Sequence, residues 1–375
     1  MSASHNHMDE HSGAGPTHPD LLLSSYGFEL PEEQIAQHPP RERGASRIMV
    51  LDRRSGETSE AAFADLPDLL PPGALLVAND SAVVPARVAG TRPTGGRVEL
   101  LLLTPPPLLQ PGETADGSRT AEAEGLLKAS KRIPEGEVLT FPEGLTAEVL
   151  RRGDFGRHAL RLTWRGDLGE VLSRAGAVPL PPYIRRAPED MDRERYQTVY
   201  ADAARAGSVA APTAGLHFTP DLRERLVEAG FGWTSVTLYV GYGTFSPIRV
   251  EDLREHHMHA EWIEVGPETA EAVARAKAEG RPVVAVGTTS ARVLEGMHQA
   301  LGHVGAFRGE TDIFMRPGYE FKVVDGLLTN FHLPFSSLIL LVSAFAGRRR
   351  ILETYARAVR SGFRFFSYGD AMLIR

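Results

Sequence analysis

Residues 283–295 read VVAVGTTSARVLE: a short apolar strand, a glycine, two threonines and the start of a helix. Thr288 or Thr289 is placed to cap that helix, and the free backbone N–H groups of its first turn suit an anion. A plain capped turn without a ligand fits the same residues. The fold follows from what surrounds this unit. Upstream, helix-like DLGEVLSRAG (167–176) is followed by PLPPYIRR (179–186) and then by PDLRERLVEAG (220–230). In that last stretch Thr219 reads as the N-cap, Pro220 as the first helical residue and Gly230 as the stop. Strand-like SVTLYVGYGTF (235–245), helical PETAEAVARAKAEG (267–280), strand-like GLLTNF (326–331), the apolar helix SSLILLVSAFAG (336–347) and a final strand FRFFSYGDAMLI (363–374) complete the pattern. Strands alternating with helices predict a largely parallel sheet or barrel covered by helices.

Before Asp167 the pattern is different. ALLVAND, AVVPARVAG, GRVELLLL, GEVLTF, LTAEVL and HALRLTW are short apolar or alternating runs broken by Gly and Pro, the signature of a small all-β barrel. The expected architecture is therefore an α/β, barrel-like main domain over residues 21–72 and 166–375, with an inserted small all-β barrel domain over 73–165. Residues 1–20, where His5, His7, His11 and His18 lie among Gly, Ser, Asp and Pro, are expected to be a disordered leader.

Composition narrows the function. The chain has no cysteine, which excludes disulfides, thiolate zinc sites and cysteine nucleophiles. Its longest apolar run, 336–347, is short of the roughly 20 residues that span a bilayer, and its first residues lack the layout of a secretory signal. A cytoplasmic protein with no membrane partner is expected. A net charge of −7 argues against nucleic acid in general, yet KASKR (128–132), RRGDFGRHALR (151–161), IRR (184–186) and GRRR (347–350) offer local positive potential. GRRR is read as the cationic end of the apolar helix.

Candidate chemistry collects at the strand ends, where open α/β folds bind ligands. GSVAAPTAGLHFTP (207–220) uses small residues that either turn a tight corner or let a ligand approach the backbone, and it ends on His217. VTLYVGYGTFSPI (236–248) offers Gly241 and Gly243 for the same purpose. TNFHLPFSS (329–337) leaves His332 in a loop before a helix capped by Ser336 or Ser337. In EHHMHAEWIEV (255–265) a strand MHAEWIEV would put His259 and Glu261 on one face. With His256 they suit a metal site, acid/base or substrate contact, or structural hydrogen bonds.

These stretches, with FELPEEQIAQHP and YQTVYA, closely resemble the S-adenosylmethionine:tRNA ribosyltransferase-isomerases of queuosine biosynthesis, from about Phe28 to the end of the chain. Tyr239 stands where many members have histidine, and ANDSAVVPAR (78–87) departs from their asparagine-rich version. The resemblance implies an α/β barrel-like domain interrupted by a β-barrel. It also implies transfer of the ribosyl part of S-adenosylmethionine to 7-aminomethyl-7-deazaguanine at the wobble position of tRNA with a GUN anticodon, giving epoxyqueuosine-tRNA, adenine and methionine. S-adenosylmethionine is then a substrate, and neither a tightly bound cofactor nor a metal is expected; the enzyme is expected to be a monomer. In this light His217, His259 and His332 are acid/base candidates and Glu261 an electrostatic partner for a cation. Pro212, Thr213, Ala214, Gly215, Phe218, Gly241, Gly243, Phe245, Gly287, Thr288 and Thr289 are expected donor contacts, with Phe218 or Phe245 stacking on adenine. Lys131, Arg132, Arg185 and Arg186 are expected tRNA contacts. A methyltransferase would instead carry a Gly-rich loop of GxGxxG type, which is absent. A non-catalytic RNA-binding module would leave the histidine-bearing loops without a purpose.

Overall fold

The computed structural model describes residues 18–153, 156–241 and 248–375. Its centre is a nine-stranded sheet in the order Phe307–Thr311, Glu261–Val265, Gly232–Leu238, Leu75–Asn79, Val283–Val286, Gly326–Asn330, Ala371–Ile374, Arg47–Leu51, Thr58–Ala62. The four strands from Gly232–Leu238 to Gly326–Asn330 are mutually parallel. Alternate residues feed opposite cores: Leu75, Val77, Val283 and Ala285 pack with the helices Gly287–Leu301 and Ser337–Ala346. Leu76, Ala78, Val284 and Val286 pack with Phe218 and the helix Pro220–Glu228. Burial on both faces is why these strands read as unbroken apolar runs.

The sheet is mixed rather than largely parallel. Its outer pairs, and the pairing of Ala371–Ile374 with Gly326–Asn330, are antiparallel. The final strand is shorter than FRFFSYGDAMLI: residues 363–370 form a loop, and the chain then enters the sheet beside Asn330 and runs back against its neighbour.

The inserted barrel closes. Arg157–Trp164, Thr146–Arg152, Val138–Thr140, Arg87–Thr91, Arg97–Leu102 and Arg119–Ala129 pair antiparallel in that order, and the last pairs again with the first. Val88, Val98, Leu100, Leu139, Val149, Leu160 and Leu162 fill it. Its boundary lies later than residue 73, because Leu75–Asn79 is a central strand of the main sheet and Ser81–Val83 pairs with Asp202–Ser208. Asn79 fixes this departure point: its side chain accepts from the N–H groups of Ser81 and Leu238 and donates to the Leu238 carbonyl.

Helix capping at Thr219 and Ser336 is as expected, through side-chain bonds to the Leu222 and Ile339 N–H groups. GRRR differs. The apolar helix stops at Ala346, Gly347 adopts φ +89°, and the arginines open a second helix, Arg348–Arg360. Cations at a helix start oppose its dipole; Arg348 is compensated by Asp20, Nε to Oδ1 2.5 Å. Asp20 and His18 therefore belong to the folded part, and of the expected leader residues 1–17 lie outside the described ones. Among the described residues no helix is long and apolar enough to cross a membrane.

Candidate active site

At the C-terminal ends of the central strands lies a cavity of about 520 Å³, within the range that takes a nucleoside-sized ligand. Its walls come from separate stretches: Pro182 and Tyr183; 210–214; Val240 and Ile248; Gly287, Thr288 and Thr289; 329–336 with Leu338; Phe366 and Ser367. A wider cleft of about 1020 Å³ at the other end of the same strands, lined by Arg53, Arg54, Arg281 and Arg350, borders none of the candidate residues.

Of the expected donor contacts, Pro212, Thr213, Ala214, Gly287, Thr288 and Thr289 line the cavity; Gly243 and Phe245 lie outside the described residues. The helix after the glycine begins at Gly287 itself, with φ +92°, and no side chain caps it. Thr288 and Thr289 are thus in its first turn rather than at its cap. The first-turn N–H groups have no intrahelical partner and stand where the cavity wall is. Thr289 Oγ1 is buried without a hydrogen-bond partner.

Three expected contacts, Phe218, Gly215 and Gly241, do not line it. Phe218 is fully buried on the opposite face of the sheet, edge-on to Phe63 and Trp233. Gly215 is small because a Cβ there would overlap the Tyr200 hydroxyl; the close approach is to this core tyrosine. Gly241 donates its N–H to Glu261 Oε1 at 3.1 Å.

His332 lines the cavity, 6% exposed, with Nε2 3.0 Å from Thr329 Oγ1. Burial lowers its pKa to about 3, so it is neutral at physiological pH. His217 sits one residue behind the wall. Its Nδ1 is 2.8 Å from Ser46 Oγ and its Nε2 3.3 Å from Asn330 Oδ1, while its ring lies 4.9 Å from that of Phe63. Burial, the main cause, lowers its pKa to about 4. A neutral imidazole with Nε2 protonated satisfies both contacts, donating to Asn330 and accepting from Ser46.

Asn330 is a wall residue that sequence reasoning missed. Its amide donates to the Phe366 carbonyl at 2.8 Å. Phe366, at φ +72°, and Phe335, at φ +61°, both line the cavity in a left-handed conformation that side chains of this size seldom adopt. Tyr183 stacks on Phe366 with ring centroids 4.2 Å apart, and its hydroxyl is 2.6 Å from Ser367 Oγ. The buried chain Ser46–His217–Asn330–Phe366–Tyr183 therefore holds an aromatic wall of the cavity.

His259 and Glu261 do not share a strand, since the strand begins at Glu261. His259 lies exposed in the preceding loop; partial burial first, and then Arg157 of the barrel, lower its pKa. Glu261 pairs with Arg292 at 3.1 Å. Among the described residues no group of three or more His, Cys, Asp and Glu side chains could hold a metal ion.

The expected tRNA contacts divide. Lys131 and Arg132 lie on the barrel beside Arg152 and His158. Arg185 is exposed and pairs with exposed Glu32 at 3.0 Å. Arg186 is largely buried: it grips fully buried Asp192 with two bonds of 2.6 and 2.7 Å and donates Nε to the Gln37 carbonyl. Its guanidinium is a structural tie.

This architecture, an α/β sheet with an inserted closed barrel and a nucleoside-sized cavity at its strand ends, has relatives. A family described as queuosine biosynthesis protein matches residues 23–374, and the chain belongs to that family. It is 62% identical over 363 residues to the S-adenosylmethionine:tRNA ribosyltransferase-isomerase of Nitratidesulfovibrio vulgaris strain DP4, covering 95% of this chain and 98% of the relative. The protein of the same name from Trichlorobacter lovleyi is 48% identical, with 94% and 100% covered. The crystal structure of S-adenosylmethionine tRNA ribosyltransferase from Thermotoga maritima superposes with a TM-score of 0.52 at 34% identity, covering 93% of this chain and 99% of that one.

Proposed function

We propose that this enzyme transfers and isomerises the ribosyl group of S-adenosylmethionine onto 7-aminomethyl-7-deazaguanine at the wobble position of tRNA with a GUN anticodon, leaving epoxyqueuosine-tRNA and releasing adenine and methionine. The observation that carries this reading is the convergence of Pro182 and Tyr183, AAPTA (210–214), GTT (287–289), TNFHLPFS (329–336) and Phe366 with Ser367 on one cavity of about 520 Å³. Membership of the family and the names of its members support the same reaction.

The cavity's parts match the donor's parts. Tyr183 and Phe366 offer aromatic faces to adenine. The uncapped helix start at Gly287–Thr289 offers N–H groups and a positive dipole end to the methionine carboxylate. A base must take a proton from the ribose carbon bonded to the sulfonium, and departing adenine must receive one. Among the described residues His332 is the imidazole on the cavity wall; it is unprotonated there and so has a nitrogen to receive a proton, although burial makes it a weak base until charge in the bound donor offsets that. His217 acts through Asn330 and positions the wall. Glu261, next to Gly241, supplies negative charge for a cation, either the sulfonium or the aminomethyl group of the incoming base. Lys131, Arg132 and Arg185 are the remaining candidates for phosphate contact, and no tightly bound cofactor or metal is required by these steps.

The test is to incubate the protein with labelled S-adenosylmethionine and tRNA carrying the deazaguanine precursor. Adenine and methionine should appear in equal amounts with ribosylated tRNA. Methylated tRNA with S-adenosylhomocysteine would overturn the reading in favour of a methyltransferase.

A further inference from the structure

One turn past the start of the helix Gly287–Leu301 lies a buried cation, two of whose three nitrogens make no hydrogen bond. Arg292 is 6% exposed, and its Nε and Nη2 make no hydrogen bond. Nη2 lies 3.1 Å from Glu261 Oε2, an ion pair whose alignment leaves the donor unspent. Folded proteins seldom leave such groups without an acceptor, and guanidinium is a fork matched to a carboxylate.

Its position says which acceptor. Helical side chains lean toward the amino end of their helix, which brings Arg292 over Thr288 and Thr289, both on the cavity wall. The small void that Arg292 borders shares Leu338 with the cavity. Unused donors of two kinds thus stand at one end of the cavity, the first-turn amides and Thr289 Oγ1, and the Arg292 guanidinium lies behind them on the adjoining void. Glu261 is beside them, its Oε1 accepting from Gly241. An α-amino acid end carries a carboxylate, and a guanidinium with unspent donors is the fork that fits it.

We propose that Arg292 binds the carboxylate of the donor's amino-acid arm and so selects ligands that carry the whole arm over those that end at the sulfur. This rests on the reading of the cavity as the S-adenosylmethionine site. The test is calorimetric binding of S-adenosylhomocysteine, which has the arm, and 5′-methylthioadenosine, which lacks it, to the wild type and to Arg292→Lys. The wild type should favour S-adenosylhomocysteine. Arg292→Lys, which keeps the charge but loses the fork, should weaken that ligand by about 10- to 100-fold, the worth of a charge-assisted hydrogen bond, and leave methylthioadenosine within about two-fold. Equal weakening of both ligands, or none, overturns the proposal. If neither ligand binds the wild type, the reading of the cavity fails, and the proposal with it. Should Arg292→Lys not fold, decarboxylated S-adenosylhomocysteine on the wild type gives the same answer: undiminished affinity refutes a carboxylate contact.

Discussion

His217 is buried uncharged between Ser46 and Asn330, and the cost of charging it there gives stability a measurable pH dependence. Burial lowers its pKa to about 4 in the folded protein, against about 6.5 in the unfolded chain. The folded pKa is depressed, so as pH falls the unfolded chain takes up the proton first. Stability is full above about pH 6.5 and is lost progressively down to about pH 4. Between pH 8 and pH 5 this one residue should remove about 2 kcal/mol of stability. His332, held at about 3 by burial, removes a similar amount over the same interval. Urea unfolding of the wild type and of His217→Gln at both pH values separates the two. The variant should be less stable at pH 8, because neither contact is replaced in full, but its loss on going to pH 5 should be smaller by about 2 kcal/mol. Identical losses in the two proteins would refute the argument, since His217 would then titrate as freely inside the fold as outside it.

Other outcomes are equally open to measurement. His332→Ala should lower kcat by about 10²- to 10⁴-fold, the range for losing a general acid or base, with little change in donor affinity; a normal kcat would return the role to His259 or to a group not yet named. Arg186→Ala strands a fully buried carboxylate at Asp192 and should cost roughly 3–5 kcal/mol of stability while leaving the salt dependence of the KM for tRNA unchanged. Replacing Lys131 and Arg132 together should do the opposite, flattening that salt dependence at unchanged stability. Gly215→Val should destabilise through collision with Tyr200, lowering the thermal midpoint of the ligand-free protein.

Much of the site was legible because small residues and helix starts at strand ends have local signatures. Gly287 needed its positive φ, and the residues beside it line the cavity as their place after a strand suggests. What was not legible depends on partners distant in sequence. A glycine announces close approach but not of what, so Gly215 was read as room for a ligand when it is room for Tyr200. An arginine in a basic cluster shows its charge but not Asp192 waiting six residues on, which is why Arg186 read as a tRNA contact. Phe218 lies beside residues that face the cavity, yet the turn at Thr213–His217 delivers it to the other side of the sheet. Tyr183, Asn330 and Phe366 gain their roles only when three loops meet, and nothing local marks Phe366 for a left-handed conformation. The barrel's existence was plain from its short broken runs; its first strand was not, because ALLVAND is equally apolar whether it closes a barrel or sits in the middle of a large sheet.

The strand Ala371–Ile374 lies inside the sheet between Gly326–Asn330 and Arg47–Leu51. Chains fold as they are made, from the amino end. During synthesis the barrel has all six of its strands once Trp164 has emerged, and can close while most of the main domain is still to come. The main sheet cannot do this. Arg47–Leu51 and Thr58–Ala62 have each other but no attachment to the central strands until residues 371–374 arrive to bridge them. The aromatic wall at Tyr183 and Phe366 waits for the same event, since Phe366 is translated only a few residues earlier. A nascent chain that has not yet emerged through residue 374 therefore carries a finished barrel and an unfinished pocket.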